Sequence, residues 1–378
     1  VRWQLVISDL EGRNLGELRN ARDRSLFWRL NGIPNLSFRI GSAHPRSDDL
    51  LAGDVLIKAY RSRVATDGPG DPWVLQENYD VTSAEEVAEG NATDGIAVIA
   101  EGPFQRLGPG GDTPGRLIGK STAGYTRTGD RGETMVDILA VCNAEAPTGI
   151  IPGNTWDSSS DTYGPVHYKA AGEAIAELAA PLDGPDFQVV AVEPTEYDGA
   201  VGVLEAAPVL GTLREQLFFE YGAGTRHNTR YFRRPVDRKG LLNRAYALPP
   251  GFPEQSAGEV ASFENAASQA IRGLREAVIS TDIADLQLRQ FLCAEHVRIR
   301  ALPRQTIVFD PHVYDPAQPR RVPQFPVDFD IGDLVRARAV VSGRERFNAW
   351  FRLYGVTLGL DNVGRATPQV ALLPQGQS

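Results

Sequence analysis

The chain has 378 residues, 42% of them apolar and 23% charged, with a formal net charge of −9. Those values fit a globular protein of two to four domains, and the acidic balance excludes a nucleic-acid grip, which needs a basic surface. Apolar runs break every few residues, so no segment approaches the roughly 20 needed to cross a bilayer.

The opening Val1-Arg2-Trp3-Gln4-Leu5-Val6-Ile7 alternates like a strand and lacks the pattern of a secretory signal, which predicts synthesis in a cytoplasm. Leu26 to Leu30 and Leu36-Ser37-Phe38-Arg39-Ile40 flank Asn31-Gly32, a strong hairpin signal, with Leu36, Phe38 and Ile40 on one buried face. A phrase follows at Leu51 to Tyr60, in which Gly53-Asp54 forms a turn that launches a strand. Further short strands at Trp73 to Tyr79 and Ile96 to Glu101 predict a small antiparallel barrel or sandwich over residues 1–107.

Gly108 to Gly115 is the densest breaker cluster, read as a linker at a domain boundary. Residues 108–250 change to mixed texture. Helices are expected at Glu133 to Ala146, with Val136, Leu139, Ala140 and Asn143 at helical spacing and Ile138, Val141 and Cys142 widening the apolar face, and at Ala170 to Ala180, with strands at Phe187 to Val192 and Gln216 to Tyr221. Within 251–326, Val260 to Ile279 and Ile283 to Val297 read as two helices, the second capped by Thr281 or Asp282. Ala301 to Pro326 reads as a proline-rich extended connector.

Residues 327–378 hold the second Gly-Asp phrase, Ile331-Gly332-Asp333-Leu334-Val335. The strand after it places Arg336 and Arg338 on one face and Val335, Ala337 and Ala339 on the other, and Trp350 to Leu358 returns as its partner. Gly53, Asp54, Gly332 and Asp333 are therefore the candidate marks of a repeated barrel strand. Chance recurrence of a common turn is the plain alternative.

Catalytic signatures are lacking. The Gly108 to Gly115 cluster has no Lys-Ser/Thr of a phosphate loop, and no Gly-x-Ser-x-Gly elbow occurs. The histidines at 44, 167, 227, 296 and 312 never pair at ligand spacing, and Cys142 and Cys293 read as buried free thiols. Asp310, His312 and Asp315 are the nearest approach to an acid-base or metal cluster, read as a solvated loop. Asp48-Asp49 and Glu85-Glu86 read as solubilising surface, and Asn91-Ala92-Thr93 is a glycosylation pattern set aside without a secretion signal. No cofactor and no metal is expected, and the chain reads as a non-enzyme.

Leu18-Arg19-Asn20-Ala21, Ser25 to Gly32, Leu36 to Ile40, the Gly53-Asp54 strand ending Tyr60-Arg61, Ile331 to Val335 and Tyr354-Gly355-Val356-Thr357-Leu358 together resemble the minor tail proteins of long-tailed phages of Actinobacteria, the tail-tip or baseplate hub group. The resemblance covers both ends and is vague from Gly108 to Pro250. It implies an α+β, β-rich fold with two small β-barrel domains flanking inserted α+β domains. It further implies a homotrimeric ring at the end of the tail tube, contacting a distal tail protein, a tape-measure protein and other minor tail or receptor-binding proteins, with transient passage of DNA. The expected location is the virion tail tip after assembly in the host cytoplasm. Two alternatives stand beside it: a tail-associated cell-wall hydrolase, and a receptor or carbohydrate-binding module using Trp73 or Trp156.

Overall fold

The computed structural model describes residues 2–62, 72–87, 95–110, 114–156, 159–181, 184–222, 227–250, 259–279, 285–302, 304–311, 323–361 and 364–374. The chain divides into a larger compact unit, Val1–Phe232 with Phe309–Leu372, and a smaller one built on Arg233–Val308.

The larger unit starts with β1 (Arg2–Ser8), β2 (Asn14–Glu17), β3 (Arg22–Arg29), β4 (Asn35–Gly41), α1 (Ser47–Ala52), β5 (Leu56–Ser62), β6 (Trp73–Val87) and β7 (Gly95–Glu101). β3 and β4 form the hairpin expected around Asn31-Gly32, where Asn31 takes a left-handed φ of 52°. Leu36, Phe38 and Ile40 are at most 2% exposed, so the alternation of β4 does set one face inward.

An inserted layer follows: β8 (Leu117–Ile118), β9 (Tyr125–Asp130), α2 (Arg131–Glu145), β10 (Ile150–Thr155), β11 (Ser160–Val166), β12 (Lys169–Ala170), α3 (Ala171–Ala179), β13 (Asp186–Ala191) and β14 (Gly202–Ala207). Asp130 caps α2 by accepting from the Glu133 N–H at 3.0 Å. The buried stripe of α2 is Met135, Ile138, Leu139 and Cys142, so Ile138, Leu139 and Cys142 of the expected face are inside, whereas Ala140 and Val141 face solvent. Two adjacent apolar runs at 135–136 and 138–142 made several helical faces equally plausible, and packing against Ile175, Phe187 and Leu204 selects one.

The chain then runs through β15 (Leu213–Tyr221) and β16 (Thr229–Arg233) into the smaller unit. That unit holds β17 (Val236–Asp237), β18 (Arg244–Ala247), β19 (Ala261–Glu264), α4 (Ala266–Arg272), β20 (Glu276–Ile279), α5 (Leu286–Arg300) and β21 (Arg304–Gln305). Here the expected helix over Val260 to Ile279 is corrected to strand, helix and strand. Asn265 caps α4 through the Ser268 N–H, and Gly273, at φ 73°, ends it after two turns. The cap of α5 is Asp285, which accepts from Leu288 N at 2.8 Å; Thr281 and Asp282 lie outside the described residues. β18 is the central strand of a three-stranded sheet, with Ala245, Ala247, Ala261, Cys293 and Val297 in its core.

β22 (Ile307–Pro311) leads back, and β23 (Leu334–Val341), β24 (Arg344–Leu360) and β25 (Ala366–Pro374) complete the chain. Val335, Ala337 and Ala339 are buried and Arg336 is exposed, as the alternation of β23 requires. β24 spans 17 residues. Its first half pairs with β23 and its second half, from Gly355, pairs with β3.

That shared strand joins the two ends of the chain in one 13-stranded sheet of order β16-β22-β25-β24-β3-β4-β7-β6-β5-β1-β2, with β23 and β15 attached beside β24. The fold is β-rich, and the described residues contain no closed barrel. The expectation of two separate small barrels is corrected to that extent. A strand as long as β24 outruns either partner alone, so it pairs with β23 along its first half and with β3 along its second within the one sheet. β1 and the turn before β25 meet through the Trp3 N–H to Gly364 carbonyl bond of 2.9 Å and an Arg2–Arg365 bridge.

Candidate functional site

The candidate site is a set of buried polar anchors that tie distant segments of the larger unit together. It starts at Gly332-Asp333. Gly332 has φ 89°, and a Cβ there would stand 2.5 Å from the Leu210 carbonyl oxygen. Gly211 mirrors it, since its own Cβ would lie 2.2 Å from the Gly332 carbonyl carbon. Only glycine allows these two backbones to meet.

The contact delivers Asp333, 1% exposed, to a ring of donors. One carboxylate oxygen accepts from Thr212 N at 2.6 Å and Thr212 Oγ1 at 3.2 Å, and the other accepts from Arg214 Nε and Asp330 N, both at 2.8 Å. A buried carboxylate with four donors is stable only because each lone-pair direction is used.

Arg352 carries the network onward. Its Nε donates to the Gly332 carbonyl at 3.3 Å, and its Nη2 donates to the Leu210 carbonyl at 3.0 Å and to Asp186 Oδ2. Asp186, 4% exposed, also accepts from Leu210 N at 2.8 Å and from Asn31 Nδ2 at 3.1 Å, while Asn31 Oδ1 accepts from Phe187 N at 2.8 Å. Thus the Asn31-Gly32 turn, the start of β13, the 210–214 segment and β23–β24 share one polar knot. Asp333 was visible in the sequence as a turn residue. Asp186, Arg352 and Asn31 were not visible as partners, because nothing local links positions more than a hundred residues apart.

Two further clamps hold the inserted layer. Lys58, 1% exposed on β5, donates to Gly12 O and to Glu193 Oε2, both at 2.9 Å, and Tyr60 Oη donates to Glu193 Oε1 at 2.7 Å. Arg106 binds Asp80 in bidentate fashion at 2.7 and 2.5 Å and donates to the Thr148 carbonyl at 3.1 Å.

The other Gly-Asp pair is built differently. Gly53, at φ 77°, closes α1 by donating to the Asp49 carbonyl, and Asp54 is exposed just before β5. Both glycines are left-handed; of the two aspartates, Asp333 alone has a buried carboxylate.

A cavity of about 330 Å³ lies near the knot, walled by Trp3, Trp28, Phe187 and Phe325, with Glu77 and Asp330 in its lining. Burial pushes the Glu77 carboxyl up to about 8, opposed by bonds from Asn78 N and from Trp28 Nε1 at 3.3 Å. Desolvation likewise raises Asp330, with the Asp333 charge adding to it.

The remaining candidates do not converge. Asp310 accepts from Gln369 Nε2 at 2.8 Å, and His312, Asp315 and Asn91-Ala92-Thr93 lie outside the described residues. Among the described residues no three His, Cys, Asp or Glu side chains group as a metal site, and no helix is long and apolar enough to cross a membrane. Cys142 and Cys293 are buried free thiols, and Trp73 and Trp156 are both exposed and lie apart from the knot in sequence.

No protein-family model matches this sequence, and no curated protein is similar enough to be matched. Solved structures are similar along the whole chain. A 43 kDa tail protein of prophage MuSo2 from Shewanella oneidensis is 10% identical, with 100% of both chains covered and a TM-score of 0.59. A tail protein from Neisseria meningitidis MC58 is 11% identical over 100% of this chain and 98% of its own, at 0.55. Prophage tail protein gp18 from Listeria monocytogenes EGD-e is 12% identical over 99% and 95%, at 0.52. The chain has the fold of these tail proteins. The polar knot, at identities this low, is described for this chain alone.

Proposed function

We propose that this protein is a structural, non-enzymatic component of a phage tail: a tail-tip or baseplate hub of a long-tailed phage, whose copies close a ring at the end of the tail tube. The observation that carries the reading is the end-to-end structural match to the MuSo2 tail protein.

In this reading three copies form the ring. Residues 1–107 and 327–378 supply two similar docking parts per copy, marked by Gly53-Asp54 and Gly332-Asp333, so that three chains present six positions to a six-fold tube. The continuity of β24 with both β3 and β23 supports it, because one strand rigidly couples the two parts. The polar knot then keeps the inserted layer, β8 to β14, from shifting while the ring bears load. The ring contacts a distal tail protein, a tape-measure protein and receptor-binding proteins of an actinobacterial phage, assembled in the host cytoplasm.

The acidic balance of the chain is compatible with passage of DNA through such a ring, as it is with plain solubility. Arg233–Val308 holds 11 Lys and Arg against 8 Asp and Glu, net +3, which leaves 28 against 40, net −12, for the rest. A polyanion slides past an acidic wall without adhering. Peptide mapping of purified particles, with antibody labelling in the microscope, tests the reading: the chain is expected at the tail tip, and its absence from particles would contradict it.

A further inference from the structure

Asn31-Gly32 is the only Asn-Gly pair in the sequence. Glycine has no Cβ to shield its backbone nitrogen, so an asparagine side chain is attacked most readily by the nitrogen that follows it when that next residue is glycine. The turn is partly exposed, and Gly32 lines the cavity of about 330 Å³ beside the knot, which gives water a route to it. Both side-chain bonds of Asn31 come from the start of β13: Nδ2 donates to Asp186 Oδ1 at 3.1 Å, and Oδ1 accepts from Phe187 N at 2.8 Å. Among the described residues its own hairpin supplies neither, so Asn31 is held only once β13 has docked.

We propose that Asn31 is a modification site: it deamidates while β13 is undocked, and the acidic product keeps the knot from forming afterwards. In the first step Gly32 N attacks Asn31 Cγ. A C–N bond forms, the Cγ–Nδ2 bond breaks, and ammonia leaves carrying the proton of the Gly32 N–H. Water then adds to either carbonyl of the cyclic imide and opens it to aspartate or isoaspartate. The net change is one water consumed and one ammonia released. Docking of β13 blocks the first step, because both bonds to the amide must break before Cγ can turn toward Gly32 N.

The product fails in the knot for a definite reason. A carboxylate at position 31 still offers an acceptor to Phe187 N, but it replaces the Nδ2 donor with a second oxygen facing Asp186 Oδ1, where the two groups stand 3.1 Å apart. Asp186 is 4% exposed, so two carboxylates there repel in a dry contact. The cation bound to Asp186, Arg352, already donates to the Gly332 and Leu210 carbonyls and has little left for a second charge. Isoaspartate is worse still, since it adds a backbone carbon inside the turn that sets the β3–β4 pairing. The modification is therefore one-way, and it does not depend on the tail reading.

The test incubates the full natural chain in mildly alkaline buffer, folded and in urea, and follows conversion at Asn31 by peptide mapping. The folded chain is expected to convert at least roughly tenfold more slowly, because two hydrogen bonds must break first. Partly converted chain from urea is then diluted into native buffer, and its folded fraction is separated by size exclusion and mapped again. The acidic forms of position 31 are expected to be at least roughly tenfold scarcer in the folded fraction than in the input, as the like-charge contact requires. Conversion at Asn20, exposed in the turn before β3, is the control and should have the same share in both. Equal rates in buffer and urea, or an undiminished share of converted position 31 in the folded fraction, would overturn the proposal.

Discussion

Arg352 on β24 donates to the carboxylate of Asp186 at the start of β13, across 166 positions of sequence, with both side chains largely out of water at 12% and 6% exposure. This ion pair joins the inserted layer to the strand shared by both ends of the chain. Its worth lies in the bonds around it, since a buried pair stabilises a fold only when the remaining polar atoms are also satisfied.

Removing one partner leaves the other charge buried. Arg352→Ala, or Asp186→Ala, is expected to destabilise the larger unit by about 3 to 5 kcal/mol, read as a shift of the urea midpoint. The double variant should cost less than the two singles combined, and full additivity would show that the residues do not act as a pair.

Gly211→Ala tests the backbone contact beneath the knot. The added Cβ would meet Gly332 at 2.2 Å with φ at +87°, whereas a Cβ on Gly343, also left-handed at +74°, would have nothing within 4 Å. Gly343→Ala should therefore cost about 1 kcal/mol from backbone conformation alone. Gly211→Ala should cost roughly 2 to 4 kcal/mol, and equal melting temperatures for the two would contradict the close approach.

Glu77 makes stability depend on pH. Its carboxyl is held up to about 8 by burial, against 4.5 ordinarily, so the folded state binds the extra proton between those values. Stability is then fully present below about pH 4.5 and is lost as pH rises through 8, a contribution on the order of 3 to 5 kcal/mol. Melting curves from pH 5 to 9 should fall steeply for the natural chain and less so for Glu77→Gln, which becomes the more stable of the two at pH 9. Parallel curves would place the titration elsewhere.

Two tryptophans should separate by burial. Trp28 is 8% exposed and packs its ring 5.5 Å from Trp3 and 5.3 Å from Phe325, so Trp28→Ala is expected to cost about 3 to 5 kcal/mol. Trp350 is only half-buried, opposite Arg336 across β23–β24, and Trp350→Ala should cost about 1 to 2 kcal/mol in the isolated chain. A larger loss confined to the assembled form would mark Trp350 as an interface residue.

Local periodicity was legible where one physical rule dominated. Leu36, Phe38 and Ile40, and Val335, Ala337 and Ala339, alternate because their strands have one wet and one dry side. Residues 260–279 misled because small residues such as Ala266, Ala267 and Ala270 fit helix and strand spacing alike, and only the stops at Asn265 and Gly273 divide them. The site was harder. Asp333 stood out as the second half of a turn signal, but the donors that make its carboxylate structural come from Thr212 and Arg214, about 120 positions earlier. Likewise the length of β24 shows in the apolar run, while its change of partner from β23 to β3 is a tertiary fact.

The central claim is a ring of three copies at the tail tip, and a reconstruction of the tip without imposed symmetry tests it most directly. Three copies are expected around the tube axis, each presenting the β5 and β23 regions at alternating positions of a six-fold ring. Six copies per ring, or a single copy attached off the axis, would contradict it.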